Sequence, residues 1–316
     1  METSAAPWRL GSIRQHDVRK PVIELGGAIY GVPEAAATAG VGLPRDSASV
    51  LEMLQEWPAW LPVLEQLAAS QPEGENTPIE DVTWLPPVLF PGKLVCVGAN
   101  YQDHMAEMGI RVEQSRPFVF LKPAATSLVA HCGEISAPAQ VAWLDWEAEL
   151  ALVIGSTLRD GQGAEVLDAV AGYTSLNDIS ARDWAEELLP GLGQDWFMHK
   201  AFDHFTPMGP TITPARFVPD PQALSITLTV NGTLKQRSNT AQMIFTIIEI
   251  LEHVSSITTL EPGDIVATGS PAGVGYGRDP RETLVPGDEV VVRIDGLSEL
   301  RSTVGQRGVR HALLCR

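Results

Sequence analysis

The most constraining stretch of this chain is Leu144-Asp145-Trp146-Glu147-Ala148-Glu149-Leu150-Ala151-Leu152-Val153-Ile154, an aliphatic run with acids crowded at one end. Its composition predicts a β-strand. Side chains alternate along a strand, so Glu147 and Glu149 point the same way, and Ala151 and Val153 continue that face. The two acids therefore border an apolar interior. Asp178 ends a second strand-like run, Gly172-Tyr173-Thr174-Ser175-Leu176-Asn177-Asp178. Ionised carboxylates gathered near an interior cost roughly several kcal/mol each unless a cation or donors compensate. Three hard oxygen ligands suit Mg²⁺, Mn²⁺ or Ca²⁺ better than zinc. The plain alternative is an amphipathic strand with a solvated acidic face.

The balance of 22 Lys+Arg against 39 Asp+Glu fits cation binding and makes nucleic acid and anionic membranes poor partners, because no basic stripe appears. Cys96, Cys132 and Cys315 are widely spaced, without a CxxC pair, which argues against a disulfide framework or a thiolate zinc site and for a reducing compartment. The N-terminus shows neither a basic nor an apolar leader region, and no apolar stretch approaches the ~18 residues of a membrane span. A soluble cytoplasmic protein is expected.

A length of 316 residues predicts one large domain or two unequal ones. Residues 1–85 read as a small appended unit and residues 86–316 as the main domain. Val22 to Val32 predicts a hairpin turning at Gly26-Gly27. Asp46 or Ser47 is placed to cap a helix through Leu51, Met53, Leu54 and Trp57, broken near Pro58 and Pro62 and resuming to Ala69. From Lys93 onward strands dominate. Asn231-Gly232 is a strong hairpin signal, and Met243 to Ile257 carries helical periodicity. Pro262-Gly263 and Pro286-Gly287 are turns that each feed a strand.

Further groups point to chemistry. Lys93 to Gly109 reads as a buried strand, a turn and a short helix, on which His104 and Glu107 share a face. A carboxylate beside an imidazole fixes its tautomer, as a base that activates water requires. A chance surface pair is the competing reading. Arg182 is suited to clamping a substrate carboxylate or to bridging Asp183 or Glu147. Lys200 lies in an apolar setting, from which it neutralises an enolate or snorkels to the surface. Ile265 to Gly277 is a strand running into a glycine-rich loop. The spacing is not GxGxxG and no helix follows, so backbone N–H groups and the Thr268 hydroxyl reaching a carboxylate is the better reading than dinucleotide binding.

The ordered set Val95-Cys96-Val97-Gly98-x-Asn100-Tyr101-x-Asp103-His104, Asp145-Trp146-Glu147-x-Glu149-Leu150, Asn177-Asp178-x-Ser180-Ala181-Arg182-Asp183, Lys200-x-Phe202-Asp203, Pro262-Gly263-Asp264 and Thr268-Gly269-x-Pro271-x-Gly273-Val274-Gly275 resembles the fumarylacetoacetate hydrolase family, in its acylpyruvate-hydrolase and domain-containing protein 2-like branch. The resemblance implies an α+β, β-rich fold: a mixed β-roll catalytic domain, a small N-terminal α/β domain and a homodimer. It puts Glu147, Glu149 and Asp178 on the Mg²⁺ or Mn²⁺ ligands, and His104 and Glu107 on a water-activating dyad carried by a lid helix. Lys200 falls on the lysine facing the substrate's enolate, Thr268 and Gly269 in the loop that holds its carboxylate, and Arg182 on an arginine associated with the site. The implied activity is hydrolysis of a carbon–carbon bond in a β-diketo acid such as an acylpyruvate. The alternative is decarboxylation, isomerisation or hydration of a 2-oxo acid, and a third reading is a metal-stabilised binding protein without turnover. The chain departs from the pattern in Arg182-Asp183-Trp184-Ala185, where many relatives place a glutamine in the last position. His199 also replaces a small residue before the lysine, and Asp195 precedes Trp196 where glutamine is common.

Overall fold

Strand Ala148–Ile154 lies in the middle of an eleven-stranded sheet, antiparallel to Val170–Asn177 on one side and to Ile265–Ala267 on the other. The computed structural model describes residues 7–308 apart from 47, 71, 73–76, 79–81, 111–113, 186–187 and 190–192. Every residue of Ala148–Ile154 is buried, and burial on both faces is why it reads as a nearly continuous aliphatic run. Leu150, Leu152 and Ile154 pack into one core with Ile226, Leu228 and Val292. Ala151 and Val153 pack into a second core with Trp8, Trp60 and Leu64. Glu149 belongs to the face of Ala151 and Val153, as the alternation predicts.

In one direction the sheet continues through Val170–Asn177 and Thr211–Pro214 into Trp8–Gln15, Val18–Leu25 and Ala28–Gly31. The N-terminal strands thus extend the main sheet, joined where Leu10 faces Ile212 and Gly11 faces Thr211. In the other direction it runs through Ile265–Ala267 and the parallel strand Leu94–Gly98 to the edge strand Phe118–Lys122. A second sheet of five strands, built around Ser225–Val230 and Glu289–Ile294, packs with helix Ile247–Ile257 against the first core. The expected β-rich α+β architecture is what the chain adopts. Among the described residues, no helix is long and apolar enough to cross a membrane.

The turns follow their chemistry. Gly26-Gly27 (φ 57° and 87°) and Asn231-Gly232 (φ 50° and 74°) are both left-handed, as two-residue hairpin turns require. Pro262-Gly263 and Pro286-Gly287 lead into strands Ile265–Ala267 and Glu289–Ile294.

Four boundaries differ from the sequence reading. The single strand expected over Leu144–Ile154 is two, Leu144–Asp145 and Ala148–Ile154, because the Glu147 N–H leaves the ladder to donate to Asn177 Oδ1 at 2.9 Å. The first helix, Val50–Gln55, is capped by Ser49 rather than Asp46, through a capping box with Glu52; Ser47, the other expected cap, lies outside the described residues. The break falls at Glu56, and helix Trp57–Ser70 then accepts Pro58 in its first turn, where a missing N–H costs nothing, and runs on through Pro62. The helix expected from Met243 starts at Ile247, because Thr246 and Glu249 form its capping box while Met243 bridges to Tyr101.

Candidate active site

Four carboxylates converge where the broken strand meets its neighbours. Asp145 comes from Leu144–Asp145, which pairs with Ser180–Ala181. Glu147 lies in the break, Glu149 is the second residue of the central strand, and Asp178 follows strand Val170–Asn177, its N–H donating to the Glu147 carbonyl at 2.8 Å. Ligand oxygens of Glu147, Glu149 and Asp178 lie within 4.8 Å of one another, and all three residues are buried.

Three cations answer them. Lys200 Nζ donates to Glu147 Oε2 at 2.6 Å and to Asp178 Oδ2 at 2.7 Å. Lys122 Nζ donates to Asp178 Oδ1, and to the Phe205 carbonyl at 2.8 Å. Arg182 donates from Nε to Asp145 Oδ2 at 2.8 Å and from its terminal nitrogen to Glu147 Oε1 at 2.5 Å. Arg182 thus takes the bridging role towards Glu147, with Asp145 as second partner. Asp183 instead accepts the backbone N–H groups of Ala142 and Trp143. Asp145 also accepts the N–H groups of Gly275 and Tyr276, at 2.6 and 3.0 Å, and so ties the glycine-rich loop to the carboxylates.

The electrostatics separate the two glutamates. Burial alone would raise the Glu147 carboxyl, but Lys200 and Arg182 outweigh it and hold the group well below the usual carboxylate range. Glu149 accepts the Gly269 N–H at 2.9 Å and has no ion-pair partner among the described residues. Burial, with Asp178 and Glu147 close by, pushes its carboxyl well above that range. With all groups ionised, four carboxylates against Lys122, Lys200 and Arg182 leave one negative charge in a buried site. A divalent cation held by Glu147, Glu149 and Asp178 would reverse that sign. The all-oxygen donor set fits Mg²⁺ or Mn²⁺.

His104 and Glu107 occupy helix Gln102–Glu107 and face each other, with His104 Nδ1 3.5 Å from Glu107 Oε2. That is ion-pair distance, beyond a good hydrogen bond, and among the described residues Nδ1 has no hydrogen-bond partner. Both Glu107 oxygens instead accept the Gly273 N–H at 3.0 Å. The Thr268 hydroxyl is buried and donates to the Leu150 carbonyl at 2.9 Å, so it fastens the loop to the central strand. Gly269 has φ 96°, and a Cβ there would come within 2.8 Å of Asn100 Cβ, so only glycine presents this N–H to Glu149.

A cavity of about 210 Å³ opens onto the group. Its polar lining includes His104, Glu147, Asp178, Arg182 and Lys200, and its aromatic lining Phe120, Trp196 and Tyr276. Gln194 also lines it, its amide donating to the Ala185 carbonyl at 2.9 Å. A glutamine therefore reaches the cavity beside position 185 although that position is alanine. Sequence reasoning missed this residue, and it missed Lys122. The available signal was the alternation in Phe118-Val119-Phe120-Leu121-Lys122, which puts Lys122 on the side of Phe118 and Phe120, both packed on Trp196.

The fumarylacetoacetate (FAA) hydrolase C-terminal profile matches residues 93–305. The chain is 40% identical over 256 residues to a Bos taurus protein named oxaloacetate tautomerase FAHD2B, mitochondrial, covering 81% of this chain and 79% of that one. Among solved structures, a fumarylacetoacetate hydrolase of Exiguobacterium antarcticum superimposes with a TM-score of 0.76 at 31% identity, over 95% of this chain and all (100%) of that one. A 2-hydroxyhepta-2,4-diene-1,7-dioate isomerase of Mycobacterium marinum gives 0.70 at 31% identity, over 95% and 99% of the two chains. Fold, acidic triad and relatives agree: the chain belongs to the fumarylacetoacetate hydrolase family, in its domain-containing protein 2-like branch.

Proposed function

We propose that this protein is a Mg²⁺- or Mn²⁺-dependent enzyme that interconverts the keto and enol forms of a 2-oxo dicarboxylic acid of the oxaloacetate type. The observation that carries this reading is the 40% identity, over most of both chains, to a protein named oxaloacetate tautomerase. It favours the isomerising alternative of the sequence reading over hydrolysis of an acylpyruvate. The partner is then a small 2-oxo acid, and a homodimer is the expected assembly. The relatives' names carry the word mitochondrial, so a cytoplasmic location for this chain is an expectation to be tested by fractionation.

Glu147, Glu149 and Asp178 would hold the cation, which when bound supplies positive charge beside the oxygens that bear an enolate's negative charge. Lys200 adds a second fixed positive charge and holds Glu147 and Asp178 in register. Arg182 positions Glu147 from the other side. The imidazole of His104 takes a proton from carbon 3 of the keto acid while the carbon 2 oxygen gains the enolate charge. It then delivers that proton to this oxygen to complete the enol, the reverse order regenerating the keto form; Glu107, held by Gly273, orients the ring. Phe120, Trp196 and Tyr276 keep bulk water from the enolate face.

Hydrolysis is the second reading, supported by the proximity of His104 and Glu107 and by the likeness to a fumarylacetoacetate hydrolase. Purified protein should accelerate the decay of the enol absorbance of oxaloacetate with Mg²⁺ or Mn²⁺, lose this on chelation and regain it on reloading. Faster cleavage of acylpyruvates than tautomerisation of oxaloacetate would decide for hydrolysis.

A further inference from the structure

One side chain at the cavity has no part in the reaction above. His199 is buried, lies between Asp195 and Lys200 on helix Trp196–Lys200, and lines the cavity. Its Nδ1 is 3.1 Å from the Asp195 carbonyl oxygen. A carbonyl only accepts, so Nδ1 must carry the hydrogen, which leaves Nε2 as an sp² lone pair. Among the described residues Nε2 has no hydrogen-bond partner. The ring is held by two contacts, the Nδ1 hydrogen bond and the Trp196 indole, whose centroid is 5.2 Å away. It is thus a fixed acceptor.

We propose that His199 is a specificity residue, whose Nε2 lone pair selects a ligand hydroxyl and so favours the enol form of a 2-oxo acid over ligands that present only bare carboxylate or ketone oxygens. The inference rests on the reading of the site as one for 2-oxo acids. An oxygen without a proton meets the Nε2 lone pair with its own, whereas an enol O–H donates to it. Burial, then the neighbouring Lys200 ammonium, pull the imidazole down to about 4, so at neutral pH it holds no second proton with which to invert this preference. Gln194, on the same segment, has its amide engaged by Ala185.

Binding of two probes to the Mg²⁺-loaded protein tests this without turnover. Malate carries a hydroxyl on carbon 2, and oxalate offers only acceptor oxygens. In titration calorimetry His199→Phe, which keeps the ring and removes the lone pair, should weaken malate about tenfold, the scale of one hydrogen bond, and leave oxalate within about twofold. His199→Gln, whose amide oxygen restores an acceptor, should regain most of the malate affinity. If His199→Phe does not fold, His199→Gly carries the same expectation. Equal losses for both probes, no loss for either, or a wild-type protein that fails to bind malate would overturn the proposal. Oxaloacetate turnover by the wild type is measured separately. Its absence alongside intact malate selectivity strikes the proposed reaction and leaves the hydroxyl-selective site standing.

Discussion

Helix Trp196–Lys200 and helix Gln102–Glu107 are both short, and both bring side chains to one cavity, yet they are held in different ways. The first is capped by Asp195, whose carboxylate accepts the N–H groups of Phe197 and Met198 at 2.9 and 3.3 Å, and it ends on a lysine bonded to two carboxylates. The second has no side-chain cap and presents a histidine whose Nδ1 is unbonded. Its anchors lie to the side: Asp103 takes the Ser238 hydroxyl at 2.5 Å and Glu107 takes Gly273. The lysine is thus locked by ion pairs, whereas the histidine is held only by the packing and side anchors of its helix.

The sharpest way to break this contrast is Lys200→Met. It leaves Glu147 and Asp178 facing each other with fewer donors, and removing one partner of a buried ion pair typically costs about 3–5 kcal/mol. A large fall in the urea midpoint and loss of turnover are expected. Near wild-type stability would show that Lys122 and Arg182 suffice. His104→Ala comes next, expected to lower turnover by about 10²–10⁴ while calorimetric Mg²⁺ affinity and melting temperature stay put. If metal affinity falls in parallel, His104 supports the carboxylates and is not a free base. Asp195→Ala is the smallest change. Loss of the cap should cost about 1 kcal/mol and reduce turnover only a few-fold. An unaltered melt would mean that the ion pairs of Lys200, without the cap, position the helix.

The readable part of the site was the part governed by local periodicity. Glu149 shares the face of Ala151 and Val153 because strands have a period of two, and Asp178 directly follows the strand that pairs with Ala148–Ile154. The break at Trp146-Glu147 was hidden, since an apolar run carries no sign that one N–H will leave the ladder for an asparagine side chain. Lys122 and Gln194 were missed because their partners, Asp178 and Ala185, depend on how the edge strand and a short hairpin are placed. The cap of helix Val50–Gln55 falls at Ser49 and not at Asp46 for a subtler reason. Asp46, Ser47 and Ser49 compete at that helix start, and the cap is the one with a glutamate three positions on.

Gln194, Trp196 and His199 all come from one short segment that follows the pairing of Leu188–Leu189 with Gly193–Gln194. The acids beneath stand on strands pinned in mid-sheet. Drift in that segment can redraw what the cavity admits without disturbing the buried carboxylates. Such a division of labour lets an enzyme lineage change its diet while inheriting its chemistry intact.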